Sequence, residues 1–357
     1  MGSTRAYTLV RLALIGLLLV GIAAGLAYLR GWLTPGALTS AKFIDGFEEV
    51  GGVHPGFRRN HAKGLGASGF FESNGNGVRL SKATLFRPGR VSVLGRFSVP
   101  GGEPYVADSP QSIHALALEF SLPNGELWRT AMVNIPVFVV RTPEDFYEQL
   151  ISSKPDPKTG RPDPEKQKAF LAHHPETAAA LNIVTAQKPA SGFADSTFRS
   201  LNAFRFVNDA GESTAVRWSF TPDHPPALRS PAPHADENYL FDDLIRQVRQ
   251  QPLRWHFMIA VGQPVDPTND ATLPWPDSRE QVDLGTLTID HLESEATSPA
   301  TDINFDPLVL PVGIVPSDDP LLSARSAVYS QSFTRREGES KQPSAITPAE
   351  VEQGATK

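Results

Sequence analysis

The chain has 357 residues, 40% of them hydrophobic, enough for one large domain or two modest ones around a sizeable core. Its net charge of -6 argues against a nucleic-acid partner, which selects for a strongly basic patch. The absence of cysteine removes disulfides, thiolate metal centres, iron–sulfur clusters and a cysteine nucleophile.

At the N-terminus Arg5 and Arg11 lead into LALIGLLLVGIAAGLAYL, about 18 apolar residues from Leu12 to Leu29, long enough to span a bilayer. The run stays apolar through Tyr28 and Leu29, which favours an uncleaved anchor over a signal peptide. The positive-inside rule keeps the arginines cytoplasmic and sends the rest outward, to the periplasmic side in a Gram-negative cell. If the segment is cleaved, the product is a secreted periplasmic protein. Residues 1–30 thus read as anchor or signal, 31–336 as the working domain and 337–357 as a polar, disordered tail.

Next, LTPGALTSAKFIDGFEEVGG reads as a short helix ended by Gly51 and Gly52. From Gly66 to Val140 the texture becomes short and often alternating: SGFFES, GVRLSKATLF, RVSVLGRFSV, HALALEFSL and LWRTAMVNIPVFVV. LPNGE at 122–126 is a hairpin signal, and regular short strands predict an antiparallel sheet or barrel. RTPEDFYEQLISS begins as a capped helix, with Thr142 as N-cap and Pro143 at the first turn. AFLAHHPETAAALN is predicted as helix, and STFRSLNAFRFVN and STAVRWSFTP as strands around the turn DAGE. A Pro-rich loop, TPDHPPALRSPAPHADE, precedes the amphipathic helix NYLFDDLIRQVRQ; LRWHFMIAVG and QVDLGTLTID complete the strands.

Two motifs carry chemistry. On a helix, Arg325 and Tyr329 share a face at i and i+4. A phenol titrates near ~10, and a fixed positive charge favours its anion. Phenolate is a known axial ligand of ferric haem. The bland reading of R-x-x-x-Y is a surface helix. The second motif is FRRNHAKGLGASGFF, where Arg58, Arg59 and His61 stand at the lip of a small-residue, aromatic run.

Taken together these stretches resemble the haem catalase family. HPGFRRNHAKGLGASGFFE is similar to its distal motif and GRFSV at 95–99 to its Arg-Phe-Ser strand. FDPLVLPVGIVPSDDPLLSARSAVYSQSFTRR is similar to its proximal segment, in the family's order over about Phe43 to Arg336. The chain is short for a catalase and looks like the small catalase-related peroxidases. The resemblance implies an α+β fold, a closed antiparallel β-barrel with surrounding helices; the apolar run at Leu12 to Leu29 adds one transmembrane helix before it. The resemblance also implies haem b (iron protoporphyrin IX) as cofactor, with Tyr329 as axial iron ligand held by Arg325. It implies His61 as acid–base group oriented by Ser98, Arg58, Arg96 and Arg336 as partners of the propionates, and Phe146 as the ring over the distal face.

Two positions depart from the family pattern. Its distal asparagine precedes a proline by three; here Val133 fills that slot and Asn134, the candidate, comes one place late. A one-residue slip in a strand reverses the side chain. The proximal histidine slot falls on Ser219, which leaves Asp319 without its expected partner. Both departures favour a peroxidase, acting through an oxyferryl intermediate on hydrogen peroxide or organic hydroperoxides with a small organic electron donor. A slow catalase is the alternative, and a non-enzymatic barrel binding haem or another apolar ligand at the membrane is the alternative of another class. A monomer or small homo-oligomer is expected. His173 and His174 read as surface residues, His114 and His256 need no special role, and Trp128, Trp218 and Trp255 read as core.

Overall fold

The computed structural model describes residues 2–29, 37–110, 112–223 and 237–348. Most of the Pro-rich loop, at 224–236, and residues 349–357 lie outside the described residues. The chain divides into two units, Met1–Phe43 and Ile44–Lys357.

In the first unit, helix α1 (Gly2–Leu29) is apolar all round from Leu12 onward, and Leu9–Tyr28, of mean hydropathy 2.4, is exposed. A helix with no polar face and no protein cover matches a bilayer span in length and composition, a test that a signal sequence also passes.

Helix α2 (Ser40–Gly51) leads into the second unit and ends where Gly52 turns to φ 83°. That unit is built on β1 (Gly64–Ser73), β2 (Gly89–Ser98), β3 (Ala115–Ser121), β4 (Leu127–Val133), β5 (Phe198–Arg199), β6 (Phe204–Val207), β7 (Ser213–Pro222), β8 (Leu253–Val261), β9 (Gln281–Glu293) and β10 (Ile314–Pro316). Every pairing is antiparallel. The order β1-β2-β3-β4-β5-β7-β8-β9 returns to β1, so eight strands close a barrel; β6 and β10 extend it from β7.

Period-two alternation decides which side chains fill the lumen. Phe71, Phe97, Phe120, Trp128, Phe220, Trp255 and Phe257 all point inward and are at most 0% exposed. They stack: Phe120 on Trp128 at 4.8 Å, Trp128 on Phe257 at 5.6 Å and Phe220 on Phe257 at 4.6 Å between centroids. The buried Trp218 indole donates to Thr130 Oγ1 at 3.1 Å, so its polar atom is satisfied inside the lumen. The barrel is therefore solid, and a ligand has to use its outer wall.

Helices α3 (Pro143–Ser152), α4 (Pro164–His173), α5 (Pro175–Ala186), α6 (Tyr239–Gln250) and α7 (Pro320–Glu337) complete this unit. The predicted cap of α3 is present as a capping box: Thr142 Oγ1 accepts from the Asp145 amide and Asp145 Oδ2 from the Thr142 amide. The LPNGE hairpin joins β3 to β4, with Gly125 at φ 83°.

Three expectations fail. GVRLSKATLF forms two 3-10 turns, at Asn76–Arg79 and Thr84–Phe86, because its apolar residues follow no period of two. AFLAHHPETAAALN is two helices, broken where Pro175 lacks the amide that would continue α4; His174 between them is buried, not at the surface. The tail is held well past 336: Glu339 pairs with Arg59, the Tyr105 hydroxyl donates to Pro343 O at 2.8 Å, and Ile346 is 2% exposed.

Candidate active site

The outer wall of β1–β4 carries three side-chain rows, set by register. Gly64, Ser98, Ala115 and Val133 form the first; Gly66, Arg96, Ala117 and Ala131 the second; Ser68, Leu94, Glu119 and Arg129 the third. Small residues keep the first two rows low, with Arg96 and Ser98 standing out of them. A Cβ on Gly64 would meet Arg96 Cζ at 2.4 Å, so glycine there is what lets the guanidinium lie along the wall.

The segment before β1 brings His61 to Ser98. His61 has φ 58°, a left-handed conformation held by Asn60, whose Oδ1 accepts from the His61 and Gly101 amides at 2.9 Å each. His61 Nδ1 lies 3.2 Å from Ser98 Oγ, which leaves Nε2 free of protein partners among the described residues. Burial, and then the charges of Arg96, Arg58 and Arg325, push the His61 pKa down to about 3, so the imidazole is a neutral base at physiological pH. The residue as a whole nonetheless retains some accessible surface, as one lining a cavity does.

Arg58, Arg96 and Arg336 form a cluster. Arg96 donates to Glu295 from Nε at 2.5 Å and from Nη2 at 3.0 Å. Among the described residues Arg58 donates only to the backbone carbonyls of Ala300, Thr301 and Ile303, and its buried Nε has no partner there. Arg336 donates to Thr301 O at 2.7 Å. Burial and then the neighbouring arginines pull Arg58 well below the usual range, and burial and then Arg96 lower Arg336. Burial opposes ionisation of Glu295, but Arg96, Arg58 and Arg336 outweigh it and hold the carboxyl below its usual range. Glu295 is a partner that sequence reasoning missed; nothing sets it apart from its neighbours Glu293 and Asp302 in the sequence.

Helix α7 carries Tyr329 and Arg325, with the guanidinium carbon 5.8 Å from the ring centroid. Tyr329 packs with Leu94 and Ala117 of the barrel wall against Ala300, Ile303 and Phe305. Arg325 donates to Ala131 O at 3.0 Å and, closely, to Asn202 Oδ1; Asn202 Nδ2 donates to Asp319 Oδ2 at 2.7 Å. Asp319 therefore has a partner, but it is Asn202 and not Ser219, which faces Met258 and Arg199 across β7.

Asn134 is not brought to His61. Its Oδ1 accepts from the His114 amide at 2.9 Å, and its Nδ2 lies 3.3 Å from His114 Nδ1 and 3.4 Å from Ser196 Oγ. The extra position after Val133 turns the amide away from the first row, as the one-residue slip requires. Phe146 packs 6.0 Å from Phe47 and 5.7 Å from Phe138 between centroids, and helps line a cavity of about 400 Å³ that reaches Asn60 and Gly101.

The family model described as catalase matches residues 48–350. The catalase-related peroxidase of Synechococcus elongatus is 38% identical over 326 residues, covering 91% of this chain and 93% of its own. The catalase-related peroxidase of Mycolicibacterium paratuberculosis is 31% identical, covering 85% and 96%. Catalase A from Saccharomyces cerevisiae shares the fold at a TM-score of 0.71 and 20% identity, over 84% of this chain and 65% of that one. The chain thus spans about two thirds of that full catalase and nearly all of the smaller peroxidases, and it belongs to the catalase family.

Proposed function

We propose that this protein is a haem-dependent peroxidase that reduces hydrogen peroxide or an organic hydroperoxide with a small organic electron donor. The observation that carries the reading is the charge of the arginine cluster. Of the three guanidiniums only Arg96 bonds a carboxylate, Glu295, and Arg58 keeps a buried donor without an acceptor among the described residues. Buried cations that depress one another are stable only beside further anions. The two propionates of haem b supply such anions, and the forked guanidiniums match them in shape. The low rows of Gly64, Gly66, Ala115, Ala117 and Ala131 suit a flat macrocycle. When bound, haem supplies an iron that exchanges electrons with peroxide and then with the donor.

The chain's own groups do the rest. Arg58, Arg96 and Arg336 bind the propionates, and Tyr329 supplies an oxygen ligand whose negative charge Arg325 compensates. With its Nδ1 proton donated to Ser98 Oγ, His61 presents a lone pair at Nε2. Nε2 takes a proton from one peroxide oxygen and delivers it to the other, which departs as water or alcohol. Phe146 covers the approach to this side. The engagement of Asn134 with His114 and Ser196 removes a polar guide for a second peroxide, which favours an organic donor over catalase turnover. We place the catalytic unit outside the cytoplasm, tethered by α1.

The test is reconstitution of the chain with haem, followed by spectroscopy and peroxide addition with and without an oxidisable dye. A ferric spectrum that changes in Tyr329→Phe, with dye oxidation exceeding oxygen release, is expected. Vigorous oxygen release would make it a catalase. Full activity in His61→Ala would sink the enzymatic reading.

A further inference from the structure

Helix α3 is one wall of the cavity that reaches Asn60. Phe146, Gln149 and Leu150 share a face at i, i+3 and i+4 and line it. Yet none of the ten residues of α3 is buried, and a helix of that length is marginal without tertiary contacts. Its placement depends on what grips its other faces. Toward α2 the packing is close: a Cβ on Gly46 would meet Tyr147 Cε2 at 3.0 Å, and Lys154, just past the end of α3, pairs with Glu49 at 2.9 Å.

The second grip is His174, in the break between α4 and α5. Its Nδ1 lies 3.1 Å from Glu176 Oε1 of α5 and 3.9 Å from Asp145 Oδ1 of α3, and its Nε2 lies 3.3 Å from Glu148 Oε2 of α3. Among the described residues these are the charged groups that face the ring; α4 adds Phe170, stacked on it at 4.3 Å between centroids. A neutral imidazole has one N–H and one lone pair, and a carboxylate only accepts. With carboxylates at both nitrogens, a neutral ring would set its lone pair against an anion. Only the imidazolium satisfies the arrangement, donating from both sides in charge-assisted bonds. Without its proton, three carboxylates surround a ring that bonds on one side alone.

We propose that protonated His174 is a pH-sensitive latch on this cavity: it fastens α3 to the α4–α5 break, and its deprotonation releases the wall that carries Phe146 and Leu150. Burial opposes the charge, but the bonds to Glu176 and Glu148, and then Asp145, outweigh it and raise the ring above its ordinary 6.5. The latch is therefore closed below 6.5 and opens as pH rises through the raised value. The cavity reaches Asn60, whose Oδ1 holds the His61 amide, so a loosened wall alters what binds next to that turn. A preordered wall binds more tightly than one that must be ordered by its ligand. His61 stays neutral throughout, since its own pKa is pushed down to about 3. His54, 3.3 Å from the lining residue Glu103, is a second histidine at the cavity, so variants and not pH alone carry the assignment. The consequence for substrate binding rests on the peroxidase reading; the latch itself does not.

The test follows hydrogen exchange of the α3 amides in the full chain between about pH 5.5 and 8.5, corrected for the intrinsic pH dependence of exchange. Wild type, His174→Gln and Glu176→Gln are compared. In wild type, protection of α3 should fall as pH rises, by on the order of tenfold, the effect of one charge-assisted hydrogen bond. His174→Gln should show low protection at both ends and no transition. Glu176→Gln removes one of the bonds that favour the imidazolium, so its transition should move to lower pH, an outcome that holds even if His174→Gln fails to fold. In haem-loaded enzyme, KM for a bulky organic hydroperoxide should rise over the same range in wild type and stay constant in His174→Gln. Equal protection at both ends in wild type overturns the latch, as does a transition that survives in His174→Gln. Zn2+ that restores protection at pH 8.5 would make the cluster a metal site and overturn it too. A constant KM while α3 loosens overturns the link to the cavity. Exchange needs no haem, so a chain that takes up none refutes the functional reading and leaves the latch to be decided by exchange.

Discussion

Arg59 Nη1 donates to Glu339 Oε2 at 2.8 Å, tying a residue two positions before His61 to one ten positions beyond Tyr329. The same Oε2 accepts from the Gly56 amide at 2.7 Å, and Arg59 Nε holds Glu48 at 2.8 Å. The two sides of the site are thus joined by a route that avoids the barrel. Glu339→Gln leaves the buried Arg59 with one carboxylate where it had two, and is expected to cost about 1–3 kcal/mol in urea unfolding. The hydrogen bond from Arg59 holds the Glu339 carboxyl below its usual range. Its contribution is therefore present above the ordinary value of 4.5 and disappears as pH falls through the lowered one. Wild type and variant converge in acid; a gap that persists there would refute the assignment.

His114 gives a second pH effect of opposite origin. Burial pushes its pKa down to about 4, against small opposing pulls from Asp195 and the Gly192 backbone. The unfolded chain binds this proton near 6.5 and the folded chain only near 4. Stability from this group is complete above 6.5 and falls by roughly 3 kcal/mol as the pH drops to 4. His61 adds a loss of the same sign in haem-free protein. His114→Gln should therefore flatten the acid slope of ΔG without abolishing it, and an unchanged slope would count against a buried neutral imidazole.

His256 titrates the other way. Its ring lies 2.9 Å from Asp283 Oδ2 and 3.0 Å from Asp223 Oδ1, and these bonds raise its pKa. The contribution is complete below the ordinary value of 6.5 and is lost as pH rises through the raised one. The ring is 38% exposed, so solvent screens the pair and the effect stays under about 1 kcal/mol. His256→Gln should lower the melting temperature at pH 5.5 and leave it unchanged at pH 9, with added salt shrinking the difference. An equal loss at both values would point to packing.

Gly64→Ala tests the outer wall. The new methyl would have to displace Arg96, whose Cζ lies 2.4 Å from the position it would take, and with it the bond to Glu295. Haem uptake, followed by absorbance, should fall at least tenfold in affinity, the effect of about 1.4 kcal/mol. Uptake equal to wild type would show that Arg96 has room to spare.

The sequence was most legible where one local rule acted alone. The LPNGE hairpin, the Thr142 cap and the alternating strands follow from turn chemistry and period two. Barrel closure did not: β1 meets β9 through pairs such as Phe71 with Leu287, which no local pattern encodes. Where motif and local geometry coincided, the expected neighbours do lie together, His61 beside Ser98 and Arg325 beside Tyr329. The site was misread where a slot was counted along one strand. Ser219 occupies the expected place, yet the side chain that bridges Arg325 and Asp319 comes from the strained turn at Leu201, a different segment. His174 was misjudged because its exposure depends on a break at Pro175 and on Glu148 and Glu176, which a single-helix reading hides. The tail's polar composition concealed Ile346, one apolar anchor among charges.

The pairing of β1 with β9 also fixes an order of assembly during synthesis. A ribosome delivers β1 to β4 early, but the stave that closes on β1 ends only at Glu293. Glu295, Arg325, Tyr329, Arg336 and Glu339 emerge later still. A nascent chain paused before residue 293 is an open, aromatic-faced sheet with His61 and Ser98 in place and nothing opposite them. Arg325, Tyr329 and Arg336 therefore join Arg58, Arg96 and His61 only once β9 is available to close the barrel, so a chain stopped at residue 293 is expected to take up no cofactor.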